Sequence, residues 1–236
     1  MKLFFGTVFP ETTIDADEQQ HIIKVLRMRN GEEISVTDGK GNLAKGTLVL
    51  EGKKANIEVS AIEKALPDFS PKLHIAIAPT KNIDRTEFFI EKATELGISE
   101  ITFLQTEKSE RKIINPEKIK KQIISASKQS LRVHFPVIHP MVKLQDFIST
   151  IDPETTYIAH CDPSFERTNL NALKPRDHIT FLIGPEGDFS PNEVKLLTEK
   201  GIKSVTLGNQ RLRTETAGVF IAAWNYYKMM NLISAE

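Results

Sequence analysis

From residue 73 onward, short apolar runs alternate with capped helical segments, and this rhythm restricts the fold more than any other feature of the chain. LHIAIA (73–78), ITFLQ (101–105), TYIAH (156–160), ITFLI (179–183) and KSVTL (203–207) read as strands of the buried type. Asp84-Arg-Thr-Glu87 reads as a capping box opening a helix with Phe89, Ala93 and Leu96 on one face, closed by Gly97. Asn115-Pro116 opens a second helix to about 131, and residues 142–151 are expected to be helical. Further helices start at Ser190 and near Thr214, the last running to Met230. Such alternation predicts an α/β domain, a mostly parallel sheet with helices on both faces.

The N-terminal part follows another pattern. Within 32–63 apolar residues alternate (Ile34, Val36; Leu48, Leu50; Ile57, Val59, Ala61), broken by turns at Asp38-Gly39-Lys40-Gly41-Asn42 and Glu51-Gly52-Lys53. With a strand over 2–9, this predicts a small antiparallel sheet or barrel carrying one helix over 17–28. Leu66-Pro-Asp-Phe-Ser-Pro71 has two prolines and no periodicity, so the chain is divided into domains 1–68 and 69–236.

Composition excludes several classes. At 236 residues, 40% hydrophobic and 26% charged, the chain can build real cores. No apolar run approaches the roughly 18 residues needed to span a bilayer, and MKLFFGTVFPETT reads as a strand rather than a signal peptide. A single cysteine, Cys161, excludes an internal disulfide and suits a reducing compartment, so a cytoplasmic location is expected. Lys+Arg and Asp+Glu are both 31, leaving no net attraction to a polyanion. The charge is unevenly spread, however. Residues 108–134 hold eight Lys/Arg against two acids, and Lys24, Arg27 and Arg29 form a second cluster. These runs suit solvated helix faces and equally a phosphate-contacting surface.

Two loops carry the most specific signal. ITFLI ends in Gly-Pro-Glu-Gly-Asp-Phe, and Ser190-Pro191-Asn192-Glu193 then caps a helix. KSVTL ends in Gly208, followed by NQRLRTETAG and the last helix. Parallel strands place both loops at one sheet edge, where ligands of open α/β sheets bind. Gly184, Gly187 and Gly208 leave the backbone bare for a flat ligand, although Gly-Pro-Glu-Gly also suits a plain tight turn. Neither loop is a Gly-x-x-x-x-Gly-Lys or Gly-x-Gly-x-x-Gly phosphate cradle, and Glu186 and Asp188 would repel a polyphosphate. The six histidines (21, 74, 134, 139, 160, 178) lack metal-ligand spacing, so no metal site is expected. His160 and Cys161, adjacent on a strand, point to opposite faces and make a poor nucleophile pair. Trp224, Tyr226 and Tyr227 read as core or subunit contact.

LIGPEGDFSPNEV (182–194) and LGNQRLRTETAG (207–218) together resemble the paired signatures of the RsmE family, SPOUT-class enzymes that methylate N3 of a uridine in small-subunit ribosomal RNA with S-adenosylmethionine. HIIKVLRMRNGEEISVTDGKGN (21–42), DRTEFFIEKATELGI (84–98), TEKSERK (106–112) and ASKQSLR (126–132) extend the resemblance over nearly the whole chain. The sequence departs from the family pattern at Gln210, where an arginine is common, and at Lys128, where an acid is usual.

The resemblance implies a PUA-like β-barrel that binds RNA, followed by a domain with a deep trefoil knot that dimerises and holds the cofactor. It places the cofactor against Leu182, Ile183, Gly184, Pro185, Glu186, Gly187, Leu207, Gly208, Leu212, Arg213, Thr214, Thr216 and Ala217. Arg213, Arg211 and Glu215 become the catalytic candidates: the arginines because loss of the imide proton and a developing oxyanion call for a nearby cation, and Glu215 as a group that orients the nucleotide from the helix N-terminus. Lys24, Arg27, Arg29, Arg85, Lys108, Arg111, Lys112, Lys128 and Arg132 become RNA contacts, with substrate in an assembled or assembling small subunit. A non-catalytic RNA-binding module, a small-molecule enzyme using the same pocket, and a methyltransferase of another RNA such as transfer RNA are the competing readings.

Overall fold

The computed structural model describes residues 2–67, 72–173 and 176–233, with side chains through 230. Residues 68–71, in the expected domain boundary, lie outside the described residues.

The N-terminal segment forms β1 (Leu3–Thr7), β2 (Thr13–Ile14), α1 (Ala16–Gln20), a π-helical continuation (His21–Leu26), β3 (Glu33–Thr37), β4 (Asn42–Glu51) and β5 (Lys54–Lys64). Arg27 ends the helical stretch in the left-handed region at φ 49°. The strand order is β2-β1-β3-β4-β5. The expected all-antiparallel arrangement is corrected at one place: β1 and β3 pair in parallel, because the helix returns the chain between them. Phe4, Ile14, Ile22, Met28, Ile34, Val36, Leu48 and Ala55 fill the interior. β2 also lies against β5, and Gln19 Oε1 accepts the Ala55 N–H at 3.2 Å. The sheet therefore curls back on itself.

Backbone contacts divide the chain into one unit of Met1–Asp68 with Ile124–Phe135, and a second of Phe69–Ile123 with Pro136–Glu236. A single cut at 68 is thus corrected by the return of 124–135 to the first unit. The cause is specific pairing. Gly41 N–H donates to Val133 O at 2.9 Å and Phe135 N–H to Gly39 O at 2.8 Å. Lys128 Nζ meets Glu18 Oε1 at 2.5 Å in a largely buried ion pair.

The second unit contains β6 (Lys72–Ile77), α2 (Ile83–Glu95), β7 (Glu100–Gln105), α3 (Pro116–Gln129, which extends into the first unit), β8 (Val137–Lys143), α4 (Leu144–Ile148), β9 (Thr156–Ala159), β10 (Thr168–Asn169), β11 (His178–Ile183), α5 (Pro191–Glu199), β12 (Lys203–Thr206) and α6 (Thr214–Ile233). The order β10-β12-β9-β11-β6-β7-β8 is parallel throughout. Ala76, Leu104, Ile158 and Leu182 of the sheet pack with Phe147, Val194 and Leu197 of the helices. Glycine permits one close approach: a Cβ on Gly218 of α6 would sit 2.5 Å from the Phe89 ring of α2.

Several boundaries move. The helix expected over 142–151 shrinks to α4, and the strand β8 precedes it. Pro140 hid that strand. β8 lies at the sheet edge, where a missing N–H is tolerated. α2 begins earlier than expected, with the Asn82 side chain accepting the Asp84 N–H. The capping box at Ser190 and Glu193 forms in full. Among the described residues no helix is long and apolar enough to cross a membrane. Trp224 packs edge-on to Phe181, with ring centroids 5.9 Å apart, whereas Phe220, Tyr226, Tyr227 and Met230 leave an exposed apolar face on α6.

Candidate cofactor and RNA site

The carboxyl ends of β9, β11 and β12 open onto a cleft of about 1020 Å³. Both signature loops leave the same sheet edge, with β9 lying between β11 and β12. This order brings a third strand end, with His160, Cys161, Phe165 and Arg167, into the wall. Ile183, Gly184, Pro185, Glu186 and Asp188 line one side, and 205–214 with Ala217 the other.

Each loop is held by its own polar groups. In the first, Asp188 N–H donates to Pro185 O at 2.9 Å, closing a tight turn, and Asp188 itself stands at φ 61°. The Asp188 carboxylate accepts the Phe189 N–H and, from the end of β9, the Cys161 N–H, both at 2.8 Å. Glu186 Oε1 accepts the Lys81 N–H at 3.0 Å. Gly184 owes its identity to this turn: a Cβ there would stand 2.9 Å from Phe189 N. In the second loop, Thr206 Oγ1 donates to Gly208 O at 3.0 Å, and Gly208 stands at φ 132° with open space where a Cβ would point. Thr214, the first residue of α6, donates its hydroxyl to Gly184 O at 3.0 Å, so the two loops are joined directly.

His160 is neutral in this setting. Burial, the largest influence, pushes its pKa down, and Arg167 adds to this against the opposing pull of Asp188 and Asp162. Its Nδ1 accepts the Asp162 N–H at 3.1 Å, so the ring proton sits on Nε2, 2.8 Å from Ser204 Oγ.

The expected site residues separate into groups. Ile183, Gly184, Pro185, Glu186, Leu207, Gly208, Leu212, Arg213, Thr214 and Ala217 line the cleft, as does Arg211. Leu182 is buried beneath it, and Gly187 and Thr216 are exposed outside its lining. Glu215 does not line it either. Its side chain is buried with Arg85 Nε 3.8 Å away.

The expected RNA contacts fall in both units. Lys24, Arg27 and Arg29 are exposed in the first unit, which also holds Lys128 and Arg132. In the second unit Lys108 Nζ donates to Gly187 O (2.8 Å) and Phe189 O (3.2 Å), bracing the cofactor loop. Arg111 donates to Thr80 O and Lys81 O at 3.0 and 2.7 Å. Lys112 is exposed. His160, Arg167 and Asn209 were missed. The signal for the first two was present, since TYIAH is a buried-type strand in the same parallel sheet, but strand order is not written in periodicity.

The fold and this cleft define an RNA methyltransferase: residues 68–225 match the RNA methyltransferase domain family, and 14–59 match the RNA methyltransferase PUA domain. The chain is 32% identical to the ribosomal RNA small subunit methyltransferase E of Aquifex aeolicus, over 85% of this chain and 87% of that one. A probable rRNA-methyltransferase from Porphyromonas gingivalis superimposes with a TM-score of 0.91 at 34% identity, covering 98% of this chain and 100% of the other. The ribosomal RNA small subunit methyltransferase E of Neisseria gonorrhoeae, bound to S-adenosyl methionine, gives 0.81 at 26% identity over 98% of both chains. This chain belongs to the ribosomal RNA small subunit methyltransferase E family.

Proposed function

We infer that this protein transfers the methyl group of S-adenosylmethionine to N3 of a uridine in small-subunit (16S) ribosomal RNA. The observation that carries the reading is the cleft at three parallel strand ends, walled by both signature loops, in a chain whose relative binds that cofactor. The residues present suit the molecule. Ile183, Leu207, Leu212 and Ala217 offer apolar surface to a flat base, and the bare Gly208 backbone allows close approach. Glu186 and Asp188 supply negative charge for a cationic end.

S-adenosylmethionine supplies an electrophilic methyl group on a sulfonium. The protein's part is to bind, to orient, and to favour the uridine N3 anion, whose proton in water is held well above neutral pH. Arg213 and Arg211 are exposed cations at the cleft, placed to favour that anion or to hold a phosphate. Both ring nitrogens of His160 are already engaged, which removes it as a general base. Thr214 acts as a positioning residue through Gly184 O. Glu215 positions α6 rather than touching substrate, since it lies away from the lining. The target base must leave any stack to reach the methyl group.

The same reading includes a trefoil knot in the second unit, a homodimer formed through the apolar face of α6, a cytoplasmic setting, and a small ribosomal subunit as substrate. Its test is labelled-methyl transfer to small subunits that lack the modification, followed by mapping of the product nucleotide. Transfer to N3 of one uridine is expected. Intact cofactor binding without transfer to ribosomal RNA would remove the substrate assignment.

A further inference from the structure

At the opposite, amino-terminal edge of the large sheet, four strands bring titratable side chains to one place. His74 of β6 is in register with Glu100 of β7, and Thr102 of β7 with His139 of β8. Thr180 of β11 is in register with His74, so His178, two residues earlier, shares that face. Potential ligand atoms of His74, Glu100 and His139 all lie within 4.8 Å of one another. Glu100 Oε2 stands 2.8 Å from His139 Nε2, and Glu100 Oε1 stands 4.0 Å from His178 Nε2. Thr102 Oγ1 holds His74 Nε2 at 2.8 Å, and the Phe147 ring covers His74 edge-on at 5.8 Å. His74 is buried, whereas the Glu100, His139 and His178 side chains stay 31–41% exposed.

We propose that His74, Glu100 and His139, with His178 beside them, form a binding site for a divalent transition metal of the Zn²⁺ class. Imidazole nitrogens with one carboxylate and no thiolate are the donor set of Zn²⁺ and its borderline neighbours. Tetrahedral coordination with bonds near 2.0–2.1 Å puts ligand atoms about 3.3 Å apart; Glu100 Oε2 and His139 Nε2, now 2.8 Å apart, would open slightly, and spacings of up to 4.8 Å would close by side-chain rotation. The apolar Phe147 side shields the site and the exposed side admits the ion and a water. A bound metal would clip β11, β6, β7 and β8 together. The linear sequence concealed this site because each ligand comes from a different strand, and the expectation of no metal site, drawn from spacing alone, is revised accordingly. The proposal does not rest on the methyltransferase reading.

The test is calorimetric titration of chelator-treated protein with Zn²⁺ alone, alongside thermal unfolding. One equivalent is expected to bind. Excess Zn²⁺ at a hundredfold over Kd should raise Tm by about 5–10 °C. His139→Ala and Glu100→Gln, at exposed positions, should each weaken binding by more than the roughly 10–100-fold that losing an outer-shell partner costs. Retained S-adenosylmethionine binding would show that these variants fold. Should either variant fail to fold, the visible absorption of Co²⁺-loaded protein, compared between wild type and His178→Ala, provides a second readout. The Co²⁺ spectrum should change in His178→Ala. Cys161→Ser should bind Zn²⁺ as wild type does. Wild type that binds no Zn²⁺ overturns the proposal, as does equal binding by His139→Ala and Glu100→Gln or an unchanged Co²⁺ spectrum in His178→Ala.

Discussion

The Thr214 hydroxyl donates to the Gly184 carbonyl across 3.0 Å, in a buried position, and so joins the loop after β11 to the helix after β12. Thr214→Val keeps the shape and leaves Gly184 O without its donor. A loss of about 1–3 kcal/mol in stability is expected, together with weaker S-adenosylmethionine binding. Thr214→Ser should restore both. Calorimetry on the three proteins checks this, and identical affinities would show that the loops stay in place without the bond.

Arg213 should matter after binding rather than during it. Arg213→Ala is expected to lower the rate of single-turnover methyl transfer by about 10²–10³-fold, with cofactor Kd changed only slightly. Arg213→Lys should recover part of the rate if charge alone is used. A loss confined to cofactor Kd would move Arg213 to the binding role.

The basic residues should divide by their internal bonds. Lys108→Ala removes donors to Gly187 O and Phe189 O, so its effect is expected on cofactor affinity. Lys112→Ala and Arg27→Ala, at exposed positions, should leave cofactor affinity alone. Each should reduce the salt dependence of RNA binding by about 0.7–0.9 in log–log slope. Filter-binding titrations at several salt concentrations distinguish the two kinds.

Gly218 faces the Phe89 ring, and even one added methyl group intrudes. Gly218→Ala is expected to cost about 1–3 kcal/mol in denaturant unfolding. An unchanged midpoint would mean that α2 and α6 separate easily.

His74 makes stability pH-dependent. Burial, the largest influence, drives its pKa from 6.5 down to about 4, although Glu100 pulls the other way. The folded protein therefore keeps the imidazole neutral where the unfolded chain protonates it. Its stabilising contribution is complete above about pH 6.5 and is lost progressively as pH falls toward 4, on the order of 3 kcal/mol in all. Unfolding curves in chelator at pH 7 and pH 5 should lie closer together for His74→Gln than for wild type. Parallel behaviour of the two proteins would assign the acid sensitivity to other groups.

Much of this architecture could be read from local sequence. Every buried-type run from LHIAIA to KSVTL became a strand, and Ser190 and Glu193 capped α5 as their spacing required. What escaped were facts that depend on which strand lies beside which. VIHPMVK did not read as a strand because edge position, not composition, makes Pro140 tolerable. His160 and Arg167 entered the cleft only because β9 separates β11 from β12. The Gly184 turn likewise depends on the neighbouring Phe189 backbone as much as on any ligand.

The position of β9 has a temporal consequence. Its two sheet neighbours, β11 and β12, are both synthesised after it, and Thr214 to Ala217 come later still. The second wall of the cleft therefore follows the first in order of synthesis, and a growing chain that stops before β12 lacks it altogether. The capacity to bind S-adenosylmethionine is expected only after β12, the loop that follows it and the first turn of α6 have left the ribosome.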